Sequence, residues 1–247
     1  MRTLLFVVLA ATVAVCQPIR SAGLHGAVPM DSVKVEDPAR RLSAVVYYPN
    51  GKALSEPVRA ALRDSARAYV QSFTDGLEPV TPDMPEGFVN SLYGGVEAFY
   101  EGPTLVSGRF SVTDEFAGAA HPSHWARCFV YDRQSGAPVP LSALFVEGAP
   151  YLYVLSEHVR AALRTSFALD TLSVDDEAWF LNATTPAPET FSCTSVSAEG
   201  LHVFFEPYRL GSYAFGQHEA LVPWANLRRM VRPGGAAAAL LPASSSP

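Results

Sequence analysis

The residues best placed to do chemistry are two histidines three apart, His121 and His124, followed by Trp125, with Asp114 and Glu115 a few positions upstream. A pair of imidazoles at that spacing can ligate a metal ion or hold a proton for a general base, and a nearby carboxylate would complete either arrangement. No third ligand follows at ordinary metal-site spacing, and the common role of such a pair is structural, with His121 hydrogen-bonded inside its loop and His124 exposed. The sequence therefore implies no metal and no cofactor.

Other chemistries have less support. There is no G-x-S-x-G, and neither Tyr93-Gly94-Gly95 nor Phe116-Ala117-Gly118 carries a nucleophile, so acyl transfer has no starting residue. Asp175-Asp176-Glu177 clusters carboxylates, but three acids in a row at a helix start are what the helix dipole favours. A glycosidase needs two carboxylates facing across a cleft, which a sequence does not show. Around Pro207 and Gly211 lie Tyr208, Tyr213 and Phe215. Tyrosines exposed on such a turn anchor protein interfaces, whereas turned inward they cover a core edge.

The elements that must carry these residues follow from patterning. Met1-Arg2-Thr3 and the apolar run Leu4 to Val15 have the charge and the length, about a dozen apolar residues, of an export signal rather than of a membrane span. Cleavage is expected after Cys16 or near Ala22; Cys16 preceded by bulky Val15 is a poor lipidation site. The chain has 247 residues, 49% hydrophobic and 17% charged, enough to bury a full core. Losing Arg2 and Arg20 with the signal leaves 16 of the 18 basic residues against 24 acidic ones, a formal charge of −8 in place of −6. That disfavours nucleic acid and leaves a basic protein as the charged partner that fits.

Cys128 and Cys193 lie in separate strand-like runs. They are read either as one disulfide between neighbouring strands or as two buried thiols. Leu42–Tyr48 reads as a strand. Ser55, Pro57 and the apolar series Val58, Leu62, Val70, Phe73 open and line a helix ending near Gly76. Ser91–Tyr100 and Thr104–Phe116 read as paired strands with one buried face, Trp125–Tyr131 as a third, and Pro150–Phe167 as a second helix. The hexapeptide Val58-Arg-Ala-Ala-Leu-Arg63 recurs as Val159 to Arg164. The flanks differ and these are common helix formers, so the repeat is read as convergence.

The run Arg109 to His121, then Phe129 to Gly136, Leu141 to Phe145, and the C-terminal stretch Leu201 to Leu227 resembles the RsiV-type domain. That domain is found in the ectodomain of a lysozyme-binding anti-sigma factor and in related secreted bacterial proteins. The resemblance covers about residues 104–231. Where family members commonly have Gly-Gly-Ala-His, this chain has Gly118-Ala119-Ala120-His121, losing one glycine's backbone freedom. No membrane span or sigma-binding segment accompanies the domain, so the anti-sigma role is not implied.

The combined expectation is an α+β protein, an antiparallel sheet packed against one or two long helices. It comprises a signal at 1–22, a companion α/β region at 23–100, an RsiV-like domain at 101–232 and a disordered tail at 233–247. Its expected role is exported, periplasmic or secreted, non-catalytic binding, with lysozyme or another cell-wall-related protein as the implied partner. His121, His124, Trp125, Tyr208 and Tyr213 are the expected contact residues. The alternative is an envelope hydrolase or metal-dependent enzyme acting at the His121/His124 loop.

Overall fold

The computed structural model describes residues 28–78, 80–81, 84–85, 87–167 and 174–242. The expected signal, its cleavage region and Cys16 lie outside the described residues, as does 243–247 of the expected tail. The architecture is α+β, with a five-stranded sheet, a three-stranded sheet and flanking helices.

The larger sheet runs in chain order. Strands β1 (Met30–Asp37), β2 (Leu42–Pro49), β3 (Asn90–Glu101), β4 (Leu105–Glu115) and β5 (Ser123–Asp132) are neighbours one after another. Every pairing is antiparallel except β2 with β3, which is parallel. A parallel pair needs a crossover, and helix α1 (Glu56–Asp75) supplies it. Ser55 caps the helix, its hydroxyl accepting from the Val58 amide at 3.4 Å and donating to the Arg133 carbonyl at 2.7 Å. That second bond ties the helix start to the end of β5. Val58, Leu62, Ala66, Val70 and Phe73 are buried against Ala44, Val46, Leu92, Val96 and Phe110 on one face of the sheet. Strand β1 carries no strong signal of its own in the sequence. As an edge strand it buries too little on either face to impose a period of two, and its pairing with β2 defines it instead.

The smaller sheet contains β6 (Thr194–Val196), β7 (Gly200–Phe205) and β8 (His218–Pro223), all antiparallel. The two late segments of the C-terminal run are thus adjacent strands. Helices α2 (Tyr151–Phe167), α3 (Val174–Ala183) and the short α4 (Trp224–Leu227) surround a second core. It contains Leu155, Val159, Leu163, Phe180, Val203, Phe205 and Trp224.

The two sheets meet at β4, and here the structure departs from the alternating pattern. One buried face was expected, but Leu105, Val106, Ser107 and Gly108 are all buried. Val106 belongs to the first core and Leu105 to the second, because β6 packs on the side of β4 away from α1. Ser107, fully buried, donates to the Phe129 carbonyl and accepts from the Val196 amide, each at 2.8 Å. A polar residue in that seam satisfies an edge amide of β6 that apolar packing would strand. Beside it a disulfide joins Cys128 on β5 to Cys193, just before β6, with a Cα separation of 4.7 Å.

The larger sheet runs across the boundary expected at residues 100 and 101, since β3 and β4 pair from Ser91–Glu115 to Glu101–Val106. The tail expected to be disordered from Pro233 is packed as far as Leu240. Ala237 is fully buried, Leu240 is buried, and the Ala236 carbonyl accepts from Thr104 at 2.6 Å. The small apolar residues of this tail cover the end of the second core.

Candidate functional site

The connection between β7 and β8 presents the most exposed group of aromatic side chains among those singled out above. Its start is clamped to the larger sheet: Glu206 accepts from the Ala126 amide at 2.6 Å and from Arg127 at 3.1 Å. Leu210 is buried in the second core and Phe215 packs against it, so these two apolar side chains hold the loop from below. The other rings point outward. Tyr208 is 54% exposed and Tyr213 43%. Their centroids are 5.3 Å apart, and His121 lies 5.5 Å from Tyr213. Three rings contributed by two distant segments thus form one surface cluster. Tyr208 adopts φ 66°, a left-handed conformation that strains a non-glycine residue and persists only where the surroundings impose it.

His121 and His124 do not converge. The His121 ring nitrogen Nδ1 donates to the Pro122 carbonyl at 2.9 Å, while His124 pairs with Thr113 across the strands at 2.9 Å. Among the described residues, no cluster of three or more His, Cys, Asp or Glu side chains could hold a metal ion. Trp125 sits apart from the exposed cluster. Its indole donates to Asp114 at 2.8 Å, its ring meets Tyr69 edge-on at 5.1 Å, and it packs on the first core. Burial of Tyr69 in that contact pushes its hydroxyl up to about 12.

A second constellation escaped the sequence reading. Glu219 on β8 takes Arg109 on one carboxylate oxygen at 2.5 Å and His202 on the other at 2.7 Å. The far nitrogen of His202 lies 2.9 Å from the Ser197 hydroxyl. The bond from His202 is the largest cause holding the Glu219 carboxyl far below its usual range, at about 2, and the Arg109 guanidinium adds to it. Arg109 is also held by Glu97 at 3.4 Å and lies 4.0 Å over the Phe204 ring.

Hydroxyl, imidazole and carboxylate in that order can activate a serine. This one is spent on the fold. Ser197 already accepts from the backbone amides of Glu199 and Gly200 at 3.1 and 3.3 Å. Its hydroxyl lies 2.9 Å from His202 and 3.5 Å from the Gly200 carbonyl, and the His202 nitrogen facing Glu219 must donate to that acceptor-only carboxylate. With both lone pairs engaged and the residue 6% exposed, Ser197 closes the β6–β7 turn. That turn needs Gly200, because a Cβ there would lie 2.2 Å from the Val222 carbonyl oxygen. His202 and Glu219 are diagonal neighbours on paired strands, His202 lying opposite Leu221 and Phe204 opposite Glu219. Without the register, no spacing in the sequence reveals them.

Beside the aromatic cluster lie two adjoining concavities that form a groove. One, of about 280 Å³, lies between Ala126 and Arg127 on β5 and the Cys193 segment; the other, of about 330 Å³, lies between α3 and Tyr208. Glu189, Thr190 and Arg209 line both. Trp179 on α3, 42% exposed, forms part of the second wall. Neither Trp179 nor Arg209 stood out in the sequence, since α3 has a weak period and Arg209 looks like any turn residue.

Residues 142–225 match the family model described as DUF3298, a protein family of unknown function. The match takes in α2, α3 and the smaller sheet. A solved DUF3298 family protein from Pseudomonas aeruginosa PAO1 superposes with a TM-score of 0.57 at 17% identity, covering 88% of this chain and 98% of its own. A DUF3298 family member from Bacteroides fragilis NCTC 9343 gives a TM-score of 0.56 at 18% identity, covering 84% and 94%. At these identities the likeness is one of fold. No curated protein matches the chain.

Proposed function

We propose that the protein is exported and acts as a non-catalytic binding module of the bacterial envelope, periplasmic or secreted, whose exposed aromatic turn docks a basic protein of the lysozyme kind. The observation that carries the reading is the cluster of Tyr208, Tyr213 and His121, outward-facing on a connection clamped to β5 by Glu206. Rigid rings on a pre-organised loop lose little entropy on binding and supply the area that anchors an interface. The formal charge of −6 favours a cationic partner at long range.

The RsiV-type resemblance supports the same reading. Most of its C-terminal run falls within the residues that match DUF3298. No arrangement at His121 and His124 favours the hydrolase alternative, since the two rings are engaged with separate partners.

The test is calorimetric titration of the exported form with lysozyme. Saturable binding that weakens as salt rises from 50 to 300 mM (about a factor of two in screening length), and that falls at least about tenfold in Tyr213→Ala, supports the proposal. Heats equal to those of dilution would refute it.

A further inference from the structure

We infer that the groove between α3 and the β7–β8 connection is a carbohydrate site, taking a flat chain of β-linked pyranose units with Trp179 and Tyr208 as stacking platforms. This goes beyond the protein-docking proposal and shares only Tyr208 with it.

The shape comes first. Two concavities of about 280 and 330 Å³ share Glu189, Thr190 and Arg209. The two therefore adjoin along one wall, and together they suit an extended ligand of more than one unit. The aromatic faces come second. Trp179 and Tyr208 line the larger part and stay 42% and 54% exposed, though Phe180 beside Trp179 is fully buried in the core. Along α3, Trp179, Asn182 and Ala183 fall at three-and-four spacing and present one stripe to the groove. A pyranose with equatorial hydroxyls turns its axial C–H bonds to one face, and those weakly positive hydrogens meet the negative face of an aromatic ring.

The third observation is a set of uncommitted polar groups. Among the described residues, the side chains of Arg209, Glu189 and Asn182 form no intramolecular hydrogen bond or ion pair. Their neighbours Arg127 and Glu206 are paired with each other at 3.1 Å. A guanidinium, a carboxylate and an amide left open beside two exposed rings match a ligand that offers both hydroxyl donors and hydroxyl acceptors around a ring.

Other ligand classes fit less well. A polyanion would meet Glu189 and Glu206 along the same wall. A peptide adding a strand to the free edge of β5 would need the Ala126 amide, which Glu206 already occupies at 2.6 Å.

The experiment titrates the full exported chain with chitohexaose and, separately, cellohexaose, following tryptophan fluorescence and heat. Trp224 is buried and Trp125 is packed on a core, so Trp179 is the tryptophan that a ligand in the groove would reach. Saturable binding of at least one oligomer is expected, weakened at least about tenfold in Trp179→Ala and retained within a few-fold in Trp179→Phe. Arg209→Ala should weaken it as well, and Trp179→Ala should leave lysozyme titration unchanged. The proposal is overturned if neither oligomer binds, or if Trp179→Ala binds as tightly as the parent while circular dichroism shows both folded. Loss of lysozyme binding in Tyr213→Ala with oligosaccharide binding intact would separate the two surfaces. Lysozyme binding without oligosaccharide binding would overturn this inference alone.

Discussion

Replacing Glu219 by glutamine tests the charge network that joins the two sheets. Glu219 accepts from Arg109 at 2.5 Å and His202 at 2.7 Å, and its carboxyl is held at about 2, against 4.5 for a free glutamate. A depressed carboxylate stabilises the fold above the unfolded value, and the contribution is lost as pH falls from 4.5 toward 2. At 1.36 kcal/mol for each unit, the ceiling is about 3 kcal/mol. The side chain is 38% exposed, so solvent screening reduces this to about 1–2 kcal/mol.

Glutamine keeps the shape and removes the charge, leaving Arg109, 12% exposed, with the more distant Glu97 at 3.4 Å. Urea unfolding at pH 7 should show Glu219→Gln less stable by about 1–2 kcal/mol. At pH 3.5 the unfolded carboxyl is mostly protonated and the folded one is not. About two-fifths of the difference should then be gone. A gap of equal size at both pH values would mean that the glutamate acts through shape or hydrogen bonding alone. No gap at pH 7 would remove the network from any account of how the sheets are joined.

Two further outcomes follow from geometry. The Cys128–Cys193 bond closes a loop with a sequence separation of 65. Replacing both cysteines by serine should cost about 4 kcal/mol by the chain-entropy relation, read as a drop in the urea midpoint that reductant reproduces in the parent, and an unchanged midpoint would show the seam holding without it. Tyr208 sits at φ 66° and is 54% exposed, so Tyr208→Gly relieves backbone strain while removing a ring. Its unfolding free energy should stay within about 1 kcal/mol of the parent's, with the thermal midpoint held or slightly raised, while affinity for lysozyme and oligosaccharide falls; a marked loss of stability would make that ring part of the fold.

The helix over Glu56–Asp75 and the strands β2 to β5 were legible because each carries its own signal. These are a serine cap followed by proline, a three-and-four apolar stripe, and alternation or a turn at each end. The aromatic turn was legible for the same local reason, as tyrosines around Pro207 and Gly211. Strand β1 and the packed tail through Leu240 were not, because an edge strand and a run of alanines acquire structure only from what they rest against.

The amino-acid order alone thus determined that this is an α+β chain with an apolar leader pattern, a paired-strand C-terminal unit and an aromatic-rich turn, whose rings the structure shows to be exposed. Those properties are written in periods and punctuation only a few residues long. The tertiary structure decided that β4 is buried on both faces and that His121 joins Tyr213 rather than His124. It also decided that Arg109, His202 and Glu219 meet, and that Trp179 and Tyr208 line one groove. Each of these depends on strand register or on the packing of one sheet against another, and both are set by contacts between residues far apart in the chain.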